Sequence, residues 1–178
     1  MGKVTVAEFL SLDGGMEEPL WTFPYWNGEI ARFKHSELFA SDALLLGRKT
    51  YEGFAKAWPA RSGVDDFADR MNCLPKYVVS TTLEKAMWQN STIIKRNVGE
   101  EIGRLRAQPG GNLLISGSGT LINYLMEQNL IDEYRLLIYP IVLGKGQRLF
   151  PKGTAAKLKL VESQRFSSGV IATVYQPA

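Results

Sequence analysis

Short apolar runs alternate with amphipathic stretches along most of this chain. The runs that predict β-strands lie at residues 4–10, 43–46, 76–80, 92–95, 113–115 and 134–139. Helices are predicted from Asn27 to about Ala40, over 99–107 and from 121 onward, where apolar residues recur on one side. Two last runs, at 158–166 and 170–175, flank a Ser-Ser-Gly turn and predict an antiparallel hairpin. This pattern predicts an α/β fold with a mostly parallel sheet.

Three of the predicted strands run directly into residues that suit a bound phosphate. The motifs are Gly47, Arg48, Lys49 and Thr50 after the second strand, Ser80, Thr81 and Thr82 at the third, and Ser116, Gly117, Ser118, Gly119 and Thr120 at the fifth. Glycine permits close backbone approach, arginine offers a planar cation, and helix N-termini present N–H groups to anions. Because the carboxyl ends of parallel strands meet at one edge of a sheet, one extended ligand can touch all three motifs.

Each motif also has a purely structural interpretation. Gly47 can simply end a strand, Arg48 can be a solvated charge, and Ser80 can cap the following turn. The last motif also lacks the final glycine of the full dinucleotide fingerprint, since Ile122 stands there. The joint occurrence of the three motifs favours a nucleotide cofactor over three separate structural accidents.

Composition narrows the class of protein. The 178 residues are 45% hydrophobic and 22% charged, which predicts one globular domain over 1–178 and argues against disorder. The formal charge of +3 is scattered along the chain, so a small anionic ligand is favoured over nucleic acid. Cys73 and His35 are each the only residue of their type, which excludes an internal disulfide and a His/Cys zinc site. No apolar stretch is long enough to span a membrane, and a cytoplasmic protein is expected.

Three further features carry local predictions. Aromatic residues crowd the loop 19–26 and predict a lid or pocket wall, with an ordinary packed loop as the alternative. The acidic residues Asp65, Asp66 and Asp69 predict the N-terminal part of a short helix. Cys73 is predicted to be a buried or incidental thiol rather than a nucleophile.

Four ordered motifs resemble the dihydrofolate reductase superfamily, and especially the branch that contains the reductase domain of bacterial riboflavin biosynthesis. The motifs lie at residues 11–14, 46–50, 116–121 and 139–150 and span most of the chain. The resemblance implies a three-layer fold with a mainly parallel central sheet, helices on both faces and a C-terminal antiparallel hairpin. It also implies a homodimer and a stand-alone member, because the zinc deaminase domain that is commonly fused to these reductases is lacking here.

The resemblance further implies NADPH as the hydride donor. By this analogy the cofactor-binding residues are Gly47, Arg48, Lys49 and Thr50 at the phosphates, Ser80 and Thr81 near the 2′-phosphate, and Gly117, Ser118, Gly119 and Thr120 at the pyrophosphate. A 2′-phosphate favours cationic and hydroxyl partners over the acidic residue of an NAD site, which agrees with these residue types. The expected substrate is a pterin-like, pyrimidine-like or other small heterocyclic or carbonyl compound.

Two acidic residues are candidates for the substrate side. Glu29 resembles the carboxylate that anchors the pterin ring in dihydrofolate reductases, although it can also be a first-turn acid that interacts with a helix dipole. Asp13 can orient a substrate group or simply form a turn with Gly14. Ser116 stands where riboflavin-pathway reductases typically carry an acidic residue.

Two other classes of function stay open from the sequence. One is a non-catalytic nucleotide-binding protein on the same fold. The other is a structural dimerisation module, in which the strand 134–139 and the segment 140–150 form the subunit interface and no ligand binds.

Overall fold

A single eight-stranded sheet frames the computed structural model, which describes all 178 residues. The strands are β1 Val4–Leu10, β2 Ala43–Gly47, β3 Lys76–Val79, β4 Ser91–Ile94, β5 Leu113–Ser116, β6 Glu133–Ile138, β7 Leu158–Arg165 and β8 Ile171–Pro177. The α-helices are α1 Gly28–Phe39, α2 Arg48–Ala57, α3 Asp66–Cys73, α4 Val98–Ala107 and α5 Gly119–Glu127. Two 3₁₀ segments lie at Pro19–Tyr25 and Pro59–Arg61.

The order of strands across the sheet is β4-β3-β2-β5-β1-β6-β8-β7. The pairings from β4 to β6 are parallel, whereas β6 with β8 and β8 with β7 are antiparallel. After β4 the chain returns to insert β5 between β2 and β1. Because crossovers between parallel strands are right-handed, this reversal moves the later helices to the other face of the sheet.

Two core clusters show that helices cover both faces. One cluster joins α4 and α5 to the sheet through Ile102 and Ile122. The other joins α1, α2 and α3 through Leu38, Tyr51 and Met71. The predicted three-layer α/β fold with a mostly parallel sheet and a C-terminal hairpin is therefore confirmed.

The three consecutive leucines of β2 are explained by burial on both sides. Leu44 and Leu46 belong to the cluster with α1 to α3, while Leu45 belongs to the cluster with α4 and α5. All three are at most 1% exposed. A strand in the middle of a parallel sheet alternates between two apolar layers, so its sequence reads as an uninterrupted apolar run.

Helix starts follow local capping chemistry. The Asn27 side chain accepts hydrogen bonds from the N–H groups of Glu29 and Ile30, both at 3.0 Å, and so confirms the predicted start of α1. Asp65 caps α3 through the N–H of Ala68 at 2.7 Å, as the acidic cluster predicts. Cys73 ends α3 and is exposed, so the prediction of a buried thiol is wrong and the incidental interpretation remains.

The strand predicted as a possible subunit interface lies inside the sheet. β6 pairs with β1 on one side and with β8 on the other, and its Tyr134, Leu136 and Leu137 side chains are at most 3% exposed. β6 therefore has no free edge through which to extend the sheet into a partner, and an interface that includes the segment 140–150 stays a prediction.

A buried polar cluster attaches the segment after β3 to α3. The Nζ group of Lys76, which is fully buried, donates to the carbonyls of Asn72 and Gln89 and lies 4.1 Å above the Trp88 ring. The indole N–H of Trp88 in turn donates to Asn72 Oδ1 at 2.8 Å, and the Asn72 amide donates to the carbonyls of Trp58 and Ala68. Asn72 thus satisfies several buried groups at once.

We expect Asn72→Ala to lower the free energy of unfolding by about 2–4 kcal/mol, since each buried polar group left unpaired costs roughly 1–3 kcal/mol. Equilibrium denaturation in urea measures this change. The matched control is Gln128→Ala, at an exposed amide with no side-chain partner, which we expect to stay within about 0.5 kcal/mol of wild type. Equal stability of the two variants would contradict the structural role of Asn72.

Candidate active site

A cavity of about 980 Å³ opens at the carboxyl ends of β1, β2 and β5. One part of its wall is formed by the two strand-to-helix turns that follow β2 and β5, with Gly47, Arg48, Thr50, Gly117, Ser118 and Thr120. A second part is apolar and lies toward α1, α2 and α3, with Leu38, Leu44, Phe54, Trp58, Met71 and Leu114. This is the edge at which open α/β sheets bind ligands.

The two turns touch each other directly. The Ser118 hydroxyl accepts a hydrogen bond from the Gly47 N–H at 2.8 Å. Gly117 has a φ of +62°, and a Cβ atom at this position would lie 2.8 Å from Thr50 Oγ1. Ser118 follows with a φ of +66°, so two successive residues are left-handed immediately before α5. These contacts bring the N-termini of α2 and α5 to one edge of the cavity, where their free N–H groups suit an anion.

The charged residues of the β2 motif differ in their surroundings. Arg48 lines the cavity, and its guanidinium donates to Thr82 Oγ1 at 2.6 Å and to Glu52 Oε1 at 3.0 Å. The side chain of Lys49 is 94% exposed, and its Nζ lies 3.9 Å from a Glu17 carboxylate oxygen. Arg48 is therefore held in place beside the end of β3, whereas Lys49 extends into solvent at the rim.

The structure separates Ser80 and Thr81 from the cavity. The Ser80 hydroxyl accepts from the N–H groups of Leu83 at 3.0 Å and Thr82 at 3.3 Å, which is the turn-capping alternative considered from the sequence. Neither Ser80 nor Thr81 lines the cavity. Thr82, the third hydroxyl of this run, is the one that reaches Arg48.

Asp13 holds a distant loop in place. Its carboxylate accepts hydrogen bonds from the Ser11 hydroxyl at 2.6 Å and from the N–H groups of Leu143 and Gly144 at 3.1 and 2.8 Å. These hydrogen bonds, that of Ser11 foremost, hold the pKa of Asp13 well below its ordinary value. Asp13 does not line the cavity, and its contacts tie the loop 140–150 to the end of β1.

Glu29 also lies outside the cavity. Its carboxylate oxygens accept from the Ser167 N–H at 3.1 and 3.3 Å and so connect the start of α1 to the turn between β7 and β8. The structure thus brings together the predicted residues of the β2 and β5 motifs, but it places both predicted catalytic acids elsewhere.

Glu8 is a cavity residue that the sequence analysis missed. It stands in β1 and is 6% exposed, and its buried Oε1 atom has no hydrogen-bond partner. Burial raises the pKa of Glu8 to about 8, against the opposing influence of Lys34. An acidic residue inside an otherwise apolar strand, close to the carboxyl end, was the signal available in the sequence.

The charged residues near α1 are linked by ion pairs. Lys34 Nζ lies 2.6 Å from Glu37 Oε2, and Arg135 Nε lies 3.3 Å from Glu37 Oε1. Lys34 also lies 5.0 Å from the centre of the Phe9 ring. Lys34 and Glu37 both line the cavity, so the wall near α1 is polar but its opposite charges are paired.

The aromatic loop contributes less to the cavity than predicted. Trp26 lines the mouth and is 51% exposed. Trp21 and Tyr25 instead pack edge-on against Tyr139, with ring centroids 5.4 and 5.6 Å apart. The prediction of a pocket wall thus holds for Trp26, while the packed-loop alternative describes its neighbours.

The whole chain was compared with the patterns of a metal site and of a membrane span. Nowhere do three or more histidine, cysteine, aspartate or glutamate side chains cluster as metal ligands would. None of the helices combines the length and hydrophobicity that crossing a membrane requires.

Comparisons with known sequences agree with this architecture. Residues 2–172 match the family model of the RibD C-terminal domain. Uncharacterized protein YyaP of Bacillus subtilis strain 168 is 33% identical over 138 residues, which cover 75% of this chain and 73% of that protein. Uncharacterized protein YwjB of the same strain is 31% identical over 130 residues, which cover 72% and 70%.

Solved structures share the fold. A protein from Shewanella sp. PV-4 that is provisionally assigned to riboflavin biosynthesis superposes with a TM-score of 0.80 at 21% identity and covers 99% of both chains. A pyrimidine reductase-like protein from Corynebacterium diphtheriae superposes with a TM-score of 0.69 at 13% identity and covers 99% of this chain and 92% of its own. From the match over residues 2–172 and the shared arrangement of strands and helices, the chain belongs to the RibD C-terminal domain family.

Proposed function

We propose that this chain is an NADPH-dependent reductase that acts on a small heterocyclic substrate, pterin-like or pyrimidine-like. The observation that carries the proposal is the direct contact between the turns after β2 and β5, which brings two helix N-termini to one edge of a large cavity. Membership of the RibD C-terminal domain family supports the reductase class. The likeness to a pyrimidine reductase-like protein agrees with a heterocyclic substrate.

The residues along this edge fit a dinucleotide. Gly117 has no side chain, and a Cβ atom at this position would collide with Thr50. The N–H groups at the start of α5 therefore stay accessible to a pyrophosphate. Arg48, fixed by Thr82, supplies the cation for a 2′-phosphate and so favours NADPH over NADH. When bound, the reduced nicotinamide supplies a hydride.

The apolar part of the cavity fits the substrate. Its lining of aliphatic, aromatic and methionine side chains suits a flat ring and excludes water from it. Where this part meets β1 and α1, Glu8, Lys34 and Glu37 offer the few polar groups that orient such a ring. The chain's own contribution is to position the substrate and to polarise it.

We expect Arg48→Ala to weaken NADPH binding by about 10–150-fold, since a hydrogen bond to a charged group contributes roughly 1.5–3 kcal/mol. NADH binding should change less, because NADH lacks the 2′-phosphate. Titration monitored by nicotinamide fluorescence measures both affinities. Lys56→Ala, which removes an exposed charge from the last turn of the same helix, is the control and should leave both unchanged.

The Arg48 experiment also tests cofactor binding itself. Absence of saturable NADPH binding by the wild-type chain at sub-millimolar concentration would count against the proposed function. Equal affinities of wild type and Arg48→Ala would remove Arg48 from the cofactor site.

We expect NADPH oxidation when the chain is incubated with small cyclic compounds that carry a ring C=N or C=O group. The screen compares dihydropterins, aminopyrimidines, flavin precursors and quinones by the loss of NADPH absorbance. Saturable NADPH binding without oxidation across the whole panel would favour the non-catalytic nucleotide-binding alternative.

A homodimer stays part of the proposal. Light scattering at micromolar concentration should give twice the mass of one chain, and a monomeric mass would contradict this expectation.

A further inference from the structure

Glu8 is a buried carboxyl group in a strand whose other buried residues are apolar. It lies on the same face of β1 as Val6 and Leu10, which belong to the core cluster with α4 and α5. Its Oε1 atom is buried without a hydrogen-bond partner, an arrangement that disfavours folding. Groups that are retained at such a cost in stability are common at functional sites.

No counter-ion is free to pair with Glu8. The ionisable groups that act on it are Lys34 and Glu37 of α1, and the Gly117 amide is the polar group that approaches from the β5 side. Lys34 is already bound to Glu37 at 2.6 Å, and Arg135 of β6 holds the other Glu37 oxygen at 3.3 Å. Because these charges are paired with one another, Glu8 has no ion-pair partner.

Glu8 is also the acid best placed to meet a substrate. Of the acidic residues that line the cavity, Glu17 and Glu18 are exposed at its mouth and Glu37 is ion-paired. Asp13 and Glu29 are engaged with backbone N–H groups outside it. Glu8 stands at the carboxyl end of β1, where its neighbour Ala7 is paired in register with Ser116 of β5, directly before the glycine turn.

We propose that Glu8 is the catalytic acid that gives a proton to the substrate during reduction, and that the substrate carries a ring C=N or C=O group whose heteroatom faces Glu8. This inference rests on the proposed reductase function. As the ring carbon accepts a hydride from the reduced nicotinamide, the π electron pair of the C=N or C=O bond moves to the heteroatom. The heteroatom takes the proton from the Glu8 hydroxyl, Glu8 becomes a carboxylate, and water restores its proton. The substrate gains two electrons, and the nicotinamide loses them.

The ionisation of Glu8 suits this role. Burial raises the pKa of Glu8 to about 8, so at neutral pH the group is mostly protonated and has a proton to donate. An acid whose pKa lies close to the working pH both holds its proton and releases it readily. The neighbouring Lys34 favours the carboxylate that forms after transfer.

The protonation state can be measured without any substrate. In the chain labelled with ¹³C at the glutamate carboxyl carbons, the resonance that disappears in Glu8→Gln belongs to Glu8. We expect it to titrate near pH 8. Titration near pH 4 would overturn the inference, because Glu8 would then hold no proton at neutral pH.

Stability gives a second readout of the same state. Because the pKa of Glu8 in the folded chain is about 8, above the ordinary 4.5, the folded state retains a proton that the unfolded state releases between these values. The free energy of unfolding should therefore fall as pH rises from 4.5 to 8, and Glu8→Gln should abolish this part of the slope. An unchanged slope in Glu8→Gln would contradict a protonated Glu8.

The catalytic test compares wild type, Glu8→Gln and the control Glu127→Gln, an exposed acid on α5. The probe is 7,8-dihydropterin with NADPH, or the faster substrate found in the screen above. We expect Glu8→Gln to lower kcat by roughly 10²–10⁴-fold, the usual range for loss of a general acid. NADPH affinity should be unchanged, and the decline of wild-type kcat above pH 8 should be absent in the variant.

The outcomes separate this inference from the function on which it rests. If Glu8→Gln matches wild type in kcat and pH profile, Glu8 is not the acid, while the reductase proposal stands. If Glu8→Gln loses NADPH binding, Glu8 acts through the cofactor site and the inference is overturned. If wild type binds NADPH but turns over no compound, both the reductase proposal and this inference fail.

Discussion

The structure depends on one close contact, between the turn that follows β2 and the turn that follows β5. The reversal of the chain after β4 inserts β5 beside β2, so these two turns must meet at the sheet edge. They can do so because Gly117 brings no Cβ atom against Thr50 and because Ser118 accepts the Gly47 N–H. The contact brings two helix N-termini together and leaves the cavity open beside them. Strand order and two small residues thus create the anion-binding side of the site.

Features that depend on local chemistry were predictable from the sequence. The apolar run at 44–46 predicts a doubly buried strand, and Asn27 and Asp65 predict helix caps, because their partners lie within a few residues. The roles of Asp13 and Glu29 were not predictable in the same way. Their partners, Leu143 and Ser167, lie 130 and 138 residues away, and sequence spacing carries no information about such contacts.

The charged residues around β1 also depend on contacts between distant parts of the chain, which the sequence alone does not reveal. Glu8 is visible in the sequence as an acid within a strand, but its isolation depends on Lys34 binding Glu37 rather than Glu8. Lys34 and Glu37 lie three residues apart on α1, where their side chains can meet, and Arg135 also reaches Glu37 from β6. The charges near α1 are thus paired with one another, and Glu8 is left without an ion-pair partner. Such an arrangement favours proton transfer over the binding of a cationic group.

The most direct test of the proposed reductase is a crystal structure of the chain with NADPH. The account predicts cofactor phosphates against the first turns of α2 and α5, with Arg48 in contact with the 2′-phosphate and the apolar part of the cavity left for substrate. NADPH bound elsewhere on the chain, or absent at saturating concentration, would contradict the assignment of this cavity as the active site of a nicotinamide-dependent reductase.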